Sequence, residues 1–175
     1  MICIVNDENV VVNIINAQCA SNKNEKIHHP WNRVGDIYTD TEPFPYMQQR
    51  LYNDLGSEFA RRRDVIRWIN LPSGNRYGFD CAVEDISNFM AAYTPLLIAG
   101  RGETGYKVWK SETEKGLVIL TFADMQAAYT YVRESQLSAY AWLASSQAKI
   151  NAVTETDGKE KLQAVYDACV ATPTK

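Results

Sequence analysis

Apolar positions along this chain change period several times, and the changes mark its elements. Residues 2–5 (Ile-Cys-Ile-Val) and 10–15 (Val-Val-Val-Asn-Ile-Ile) are β-branched runs flanking the polar turn Asn6-Asp7-Glu8-Asn9, which predicts a hairpin. A polar stretch from Ser21 to Lys26 follows, and Val34 to Tyr38 reads as a third short strand. Thr41-Glu42-Pro43-Phe44-Pro45 then stops regular structure, because two prolines remove donors and restrict the residues before them. A boundary is expected here. About 40 residues of mostly β structure cannot hold a core alone, so this leader is expected to lean on a neighbour or on another chain.

From Tyr46 onward the period becomes helical. Tyr52, Leu55, Phe59, Arg62, Ile66 and Ile69 fall on one stripe and predict a helix over 46–69, with Gly56 costing about 1 kcal/mol relative to alanine. Pro72-Ser73-Gly74-Asn75 is dense turn chemistry, and Arg76 to Phe79 is the returning strand. Asp80 is the expected cap of a second helix, with Glu84 and Asp85 in its first turn and Ala82, Ile86, Phe89, Tyr93 and Leu96 on its stripe. Thr94-Pro95 predicts a kink or early end, and Gly100 a stop. Gly100 to Gly105 lacks the Lys-Ser or Lys-Thr of a phosphate loop and reads as a flexible connector.

Tyr106 to Lys110 and Leu117 to Thr121 pair across a charged turn, and Thr121 with Asp124 has capping-box spacing. The helix that follows runs about 30 residues, against an ordinary mean of ~11–12. With Phe122 as an a position, the a sites are Phe122, Tyr129, Gln136, Leu143 and Ile150, and the d sites are Met125, Val132, Ala139, Ser146 and Val153. Only Gln136 and Ser146 are polar. Such a seam pairs with another helix of its own chain or self-associates, and alanine and tyrosine at core sites suit the first case as well. Residues 154–158 break the pattern, and Lys159 to Val170 forms a short last helix. The fold class expected is α+β: a β-rich leader over 1–45, then a domain over 46–175 with its core in 65–153. That domain has three main helices and two β-hairpins, the last helix being long.

A chain of 175 residues is one compact domain, or one with a small appendage, and needs no metal or disulfide staple. Its 46% hydrophobic and 22% charged residues are ordinary for a globular protein, and a net charge of −3 argues against general polyanion binding. Cys3, Cys19, Cys81 and Cys169 lie far apart without metal or disulfide spacing, as reduced thiols in a cytoplasm would. The apolar start is cut off at Asn6, too early for a signal peptide or membrane span.

Candidate chemistry changes little. The histidines are His28 and His29, adjacent in a polar stretch, and a couple between His28 and Cys81 is weighed against a buried inert thiol. Glu84-Asp85 and Glu112/Glu114 sit where helix starts and hairpin tips favour acids anyway. Arg61-Arg62-Arg63 is read as a solvated helix face with Glu58–Arg62 as an i,i+4 pair, with phosphate binding as the rival. Trp31, Trp68, Trp109 and Trp142 are scattered in sequence rather than spaced as a stacking platform. No catalytic, cofactor-binding or metal-ligating residue is assigned.

One resemblance adds to this. Tyr77-Gly78-Phe79-Asp80 before a helix, a strand bearing Trp109, then Val118-Ile119-Leu120-Thr121-x-x-Asp124-Met125 and a long helix ending in Lys149-Ile150 follow a known order. It resembles an uncharacterised C-terminal domain of tailed-bacteriophage proteins, usually tail-fibre, tail-fibre-assembly or other tail-associated proteins. The leader, with Trp31-x-x-Val34-Gly35-Asp36-x-Tyr38, is similar to leaders of such proteins. Those proteins often carry an Ala-rich helix before the first hairpin, where this chain has Phe59 and Arg61 to Arg63. The resemblance brings no active site. It implies a non-enzymatic tail component of the virion, made in the host cytoplasm, with other tail proteins as partners. Self-association, with a trimer as one form, is expected through Phe122, Met125, Tyr129, Val132, Leu143 and Ile150. No cofactor, nucleic acid, membrane or small-molecule substrate is expected. The alternatives are an assembly chaperone absent from the particle and, from another class, a small Cys81-dependent enzyme.

Overall fold

The computed structural model describes residues 1–15, 25–34 and 36–171, and shows a mixed α+β chain. It divides into two compact units, Met1–Asn53 with Ile150–Tyr166, and Asp54–Lys149 with Asp167–Lys175. The boundary expected at residue 45 is passed by a helix, α1 (Phe44–Asp64), which opens inside the Pro-rich stretch. Pro45 sits in its first turn, where a missing N–H leaves no helix bond unmade.

In the first unit, strands β1 (Ile2–Val5), β2 (Val11–Ile15) and β3 (Glu25–Ile27) form an antiparallel sheet of order β2-β1-β3. The expected hairpin turn is built on asparagines. The Asn6 Oδ1 accepts from the amides of Glu8 and Val10, and Asn9 adopts a φ of 61°, a left-handed conformation that asparagine tolerates. The third strand is not Val34–Tyr38, which contributes a single bridge between Val10 and Ile37. It is Glu25–Ile27, three residues in a polar stretch too short for alternation to register; the part of that stretch before Glu25 lies outside the described residues. Cys3, Val5, Val11 and Tyr38 pack as its core. Gln48 Nε2 donates to the carbonyls of Ile150 and Val153, closing the C-terminal end of α3 (Phe122–Ala152). A 3-10 turn, Glu155–Asp157, with a Thr154/Asp157 capping box leads into α4 (Lys159–Ala171).

In the second unit, β4 (Arg67–Asn70), β5 (Arg76–Phe79), β6 (Glu103–Trp109) and β7 (Lys115–Thr121) form an antiparallel sheet in chain order, with α2 (Val83–Ala99) between β5 and β6. The first helix therefore ends five residues before the predicted Ile69. Ile66, Trp68 and Ile69 are β-formers, and Ile69 turns inward as part of a strand. Helix α2 passes through Pro95 and ends at Gly100 (φ 64°), while the Thr94 hydroxyl donates to the Met90 carbonyl at 2.7 Å. Its N-cap is Ala82 rather than Asp80. The glycine connector is shorter than expected, because β6 starts at Glu103 and takes in Gly105. Ile69, Phe79, Phe89, Tyr93, Val108, Leu120, Met125 and Val132 bury the inner face of the sheet against α2 and α3. Each fully buried side chain of this size contributes roughly 1.5–3 kcal/mol.

Candidate interaction surface

The hairpin β6–β7 is anchored from below by Asp124. Its carboxylate accepts from the Thr121 hydroxyl (2.8 Å) and amide (3.2 Å), while the Thr121 hydroxyl accepts from the Asp124 amide (3.2 Å), completing the predicted box. The other carboxylate oxygen accepts from the Ser73 amide at 3.0 Å, so one 1%-exposed side chain ties the β4–β5 turn to the start of α3. Burial pushes the Asp124 carboxyl up, but these hydrogen bonds outweigh it and hold it below the usual carboxylate range.

Above this anchor the outward face of the sheet mixes charged residues (Arg76, Glu103, Lys107, Lys115) with exposed apolar ones. An antiparallel sheet packed on one side normally turns polar residues outward. Here Leu117 and Ile119 stand 69% and 62% exposed on β7, and the half-buried Trp68 and Trp109 share that face. Trp68, Gly78 and Trp109 form one row across three strands. Glycine is required in the middle, since a Cβ at Gly78 would meet Ile66 Cγ2 at 2.9 Å and Trp109 Cβ at 3.0 Å. Asp80 closes the row instead of capping α2. It accepts from the Trp109 indole at 2.7 Å and pairs with Lys115, whose ammonium lies 5.4 Å from that ring's centroid. Sequence spacing alone could not bring Trp68 and Trp109 together, because 40 residues of turn, strand and helix lie between them.

The residues expected to mediate self-association lie elsewhere. Met125 (0%), Val132 (7%) and Ile150 (0%) are buried within the chain, and Phe122, Tyr129 and Leu143 are half-buried. Met125 and Val132 belong to the core of the second unit, with Phe122 and Tyr129 packed against it. The apolar residues that α3 exposes are Tyr131, Leu137 and Tyr140, off the heptad seam. Tyr131 instead lines a shallow cleft of about 560 Å³ between β4 and α3, with Ile69, Asn70, Pro72, Gln126 and Thr130.

Arg62 is 3% exposed and pairs with Glu58 at 2.7 Å; Arg61 shares Glu58, and Arg63 pairs with Asp64. The Glu58–Arg62 pair is thus the predicted one, but on a buried face rather than a solvated one. His29 stacks on Trp31 (ring centroids 4.7 Å apart) with Asp40 3.9 Å from its Nε2. Cys81 is 1% exposed, its thiol donates to the Phe79 carbonyl, and burial pushes its pKa up to about 11. A thiol so placed is protonated and inert near neutrality. In the folded chain, iodoacetamide at neutral pH is expected to modify Cys81 slowly, only through opening of the fold, read by peptide mass spectrometry; rapid, selective labelling of Cys81 would contradict this account of the thiol.

Fold and surface together define an α+β chain in which, among the described residues, an exposed apolar strand forms a sheet edge. No family model, curated protein or solved structure matches it.

Proposed function

We propose that this chain is a non-enzymatic structural protein of a bacteriophage tail, a fibre or baseplate accessory, that works by contacting other polypeptides. The observation that carries the contact role is the outer face of the four-stranded sheet, where Leu117 and Ile119 are exposed beside Trp68 and Trp109. Exposed apolar surface of this kind marks interaction sites. The tail setting rests on the resemblance in element order from Tyr77 to Ile150. The buried, protonated Cys81 supports a role without thiol chemistry. Mass spectrometry of purified particles tests the proposal: the chain is expected in the tail fraction in amounts comparable to other tail proteins. Its presence in the lysate but absence from finished particles would overturn the structural role in favour of an assembly chaperone.

A further inference from the structure

We infer that β7 is a self-pairing edge, through which two copies of this chain join their sheets across a twofold axis at Val118. The inference deepens the proposed contact role by naming one partner, a second copy, and rests on that role only in treating protein contact as the function.

The phase of the β6–β7 ladder fixes which main-chain groups are free. Phe122 N–H donates to the Gly102 carbonyl (2.9 Å) and Lys110 N–H to the Glu114 carbonyl (2.8 Å), both in the register that sets Tyr106 opposite Val118. In an antiparallel pair, hydrogen-bonded and non-bonded pairs alternate. Thr104–Leu120, Tyr106–Val118 and Val108–Gly116 are therefore the bonded pairs. Lys115, Leu117, Ile119 and Thr121 turn their N–H and C=O groups away from β6, toward the open side of the sheet, where no further strand pairs among the described residues. Thr121 N–H is taken by Asp124, which leaves Lys115, Leu117 and Ile119 with both groups available.

Natural edges are blunted by charge, proline, bulges or brevity. The opposite edge, β4, is four residues long, contains Arg67 and is followed by Pro72. Strand β7 has none of these defences in its middle. It runs seven residues in unbroken register, Lys-Gly-Leu-Val-Ile-Leu-Thr, and its one charge, Lys115, is at the end and bound to Asp80. Two of the three residues with both main-chain groups free, Leu117 and Ile119, also carry exposed apolar side chains.

The register commits the occupant. An axis at Val118 sets Leu117 opposite Ile119 of the second copy and Lys115 opposite its Thr121, so every outward-facing residue of the strand finds a partner. Axes at Leu117 or Ile119 leave one end of the strand unpaired. The chosen register opposes no like charges, and it places Lys115 of one copy in the same row as Glu103 of the other, two strands or about 10 Å apart. The strand is complementary to itself.

Sedimentation velocity of the full chain over a concentration series tests this, with two variants. Ile119→Lys puts a charge into the middle of the edge on a side chain already exposed. Ile119→Pro removes an N–H that points away from β6, so the intrachain ladder loses no bond. The wild type is expected to form a discrete dimer, and each variant to raise its dissociation constant at least about tenfold, with circular dichroism unchanged. Ile98→Lys, at a residue 82% exposed elsewhere, is expected to leave the dimer intact. Hydrogen exchange is expected to protect the Leu117 and Ile119 amides only in the dimer. A wild type that stays monomeric at every concentration, a dimer that survives both variants, or an open-ended polymer would each overturn the inference. None of these outcomes bears on whether the chain is found in particles, so this test and that of the tail role fail separately.

Discussion

Replacing Glu58 by alanine is expected to destabilise the fold by about 3–5 kcal/mol, the usual cost of stranding one partner of a buried ion pair. Arg62 is the partner left behind. At 3% exposure it has little access to water, although it keeps its bond to the Val170 carbonyl (2.7 Å) and its seat 4.1 Å from the Trp142 ring centroid. Trp142 in turn donates to the Cys169 carbonyl, so the last turn of α4 feels the change. Arg62→Met is expected to be milder than Glu58→Ala, because it removes the charge that needs compensation and retains the packing on Trp142. For a chain of this size the alanine variant lowers Tm by roughly 6–20 °C, at about 2–4 °C per kcal/mol. A Glu58→Ala variant that melts within a degree or two of wild type would show that the pair is not relied upon. Glu58 itself is held below the usual carboxylate range, chiefly by its hydrogen bonds from Arg61 and then Arg62, against the upward push of burial.

Asp124→Ala is expected to cost about 2–3 kcal/mol, combining a lost helix cap with part-buried amides left without their charged acceptor. Asp124→Asn keeps one acceptor oxygen and is expected to cost about half as much. The pH dependence follows from the sign of the shift. The folded carboxyl is depressed, so its contribution is fully present above the ordinary aspartate value near 3.9 and disappears as pH falls through the lower, folded value. The stability gap between wild type and Asp124→Asn, measured by urea unfolding, is therefore expected to be constant from neutrality to about pH 5 and to close in stronger acid. A gap that widens on acidification would mean that Asp124 is not the depressed group.

Much of this architecture was legible in the residues. The turn at Asn6–Asn9, the returning strand at Arg76, the stop at Gly100, the Thr121/Asp124 box and the long helix all follow from local rules that tertiary structure did not override. What local rules missed was decided by partners distant in sequence. Asp80 looked like a cap because only its neighbours in sequence were visible, whereas an indole 29 residues away and a lysine 35 away claim it. Ile66 to Ile69 suited a helical stripe and a strand equally, and pairing with β5 settled the choice. The α3 seam was correctly periodic, but periodicity reports that a face is covered and not what covers it. In this chain Met125, Val132 and Ile150 are covered by the chain itself, and the exposed apolar strand is one whose alternation the sequence shared with any hairpin.

The clamp between Ser73 and Asp124 also sets an order of events during synthesis. The hairpin that carries Ser73 is complete once Phe79 has left the ribosome, yet the carboxylate that fixes its turn is encoded 51 residues after Ser73. At roughly 5–20 residues per second, the completed hairpin waits about 2–9 s for that acceptor. A two-stranded hairpin is marginal on its own, so during that interval this segment lacks the acid that latches its turn in the folded chain.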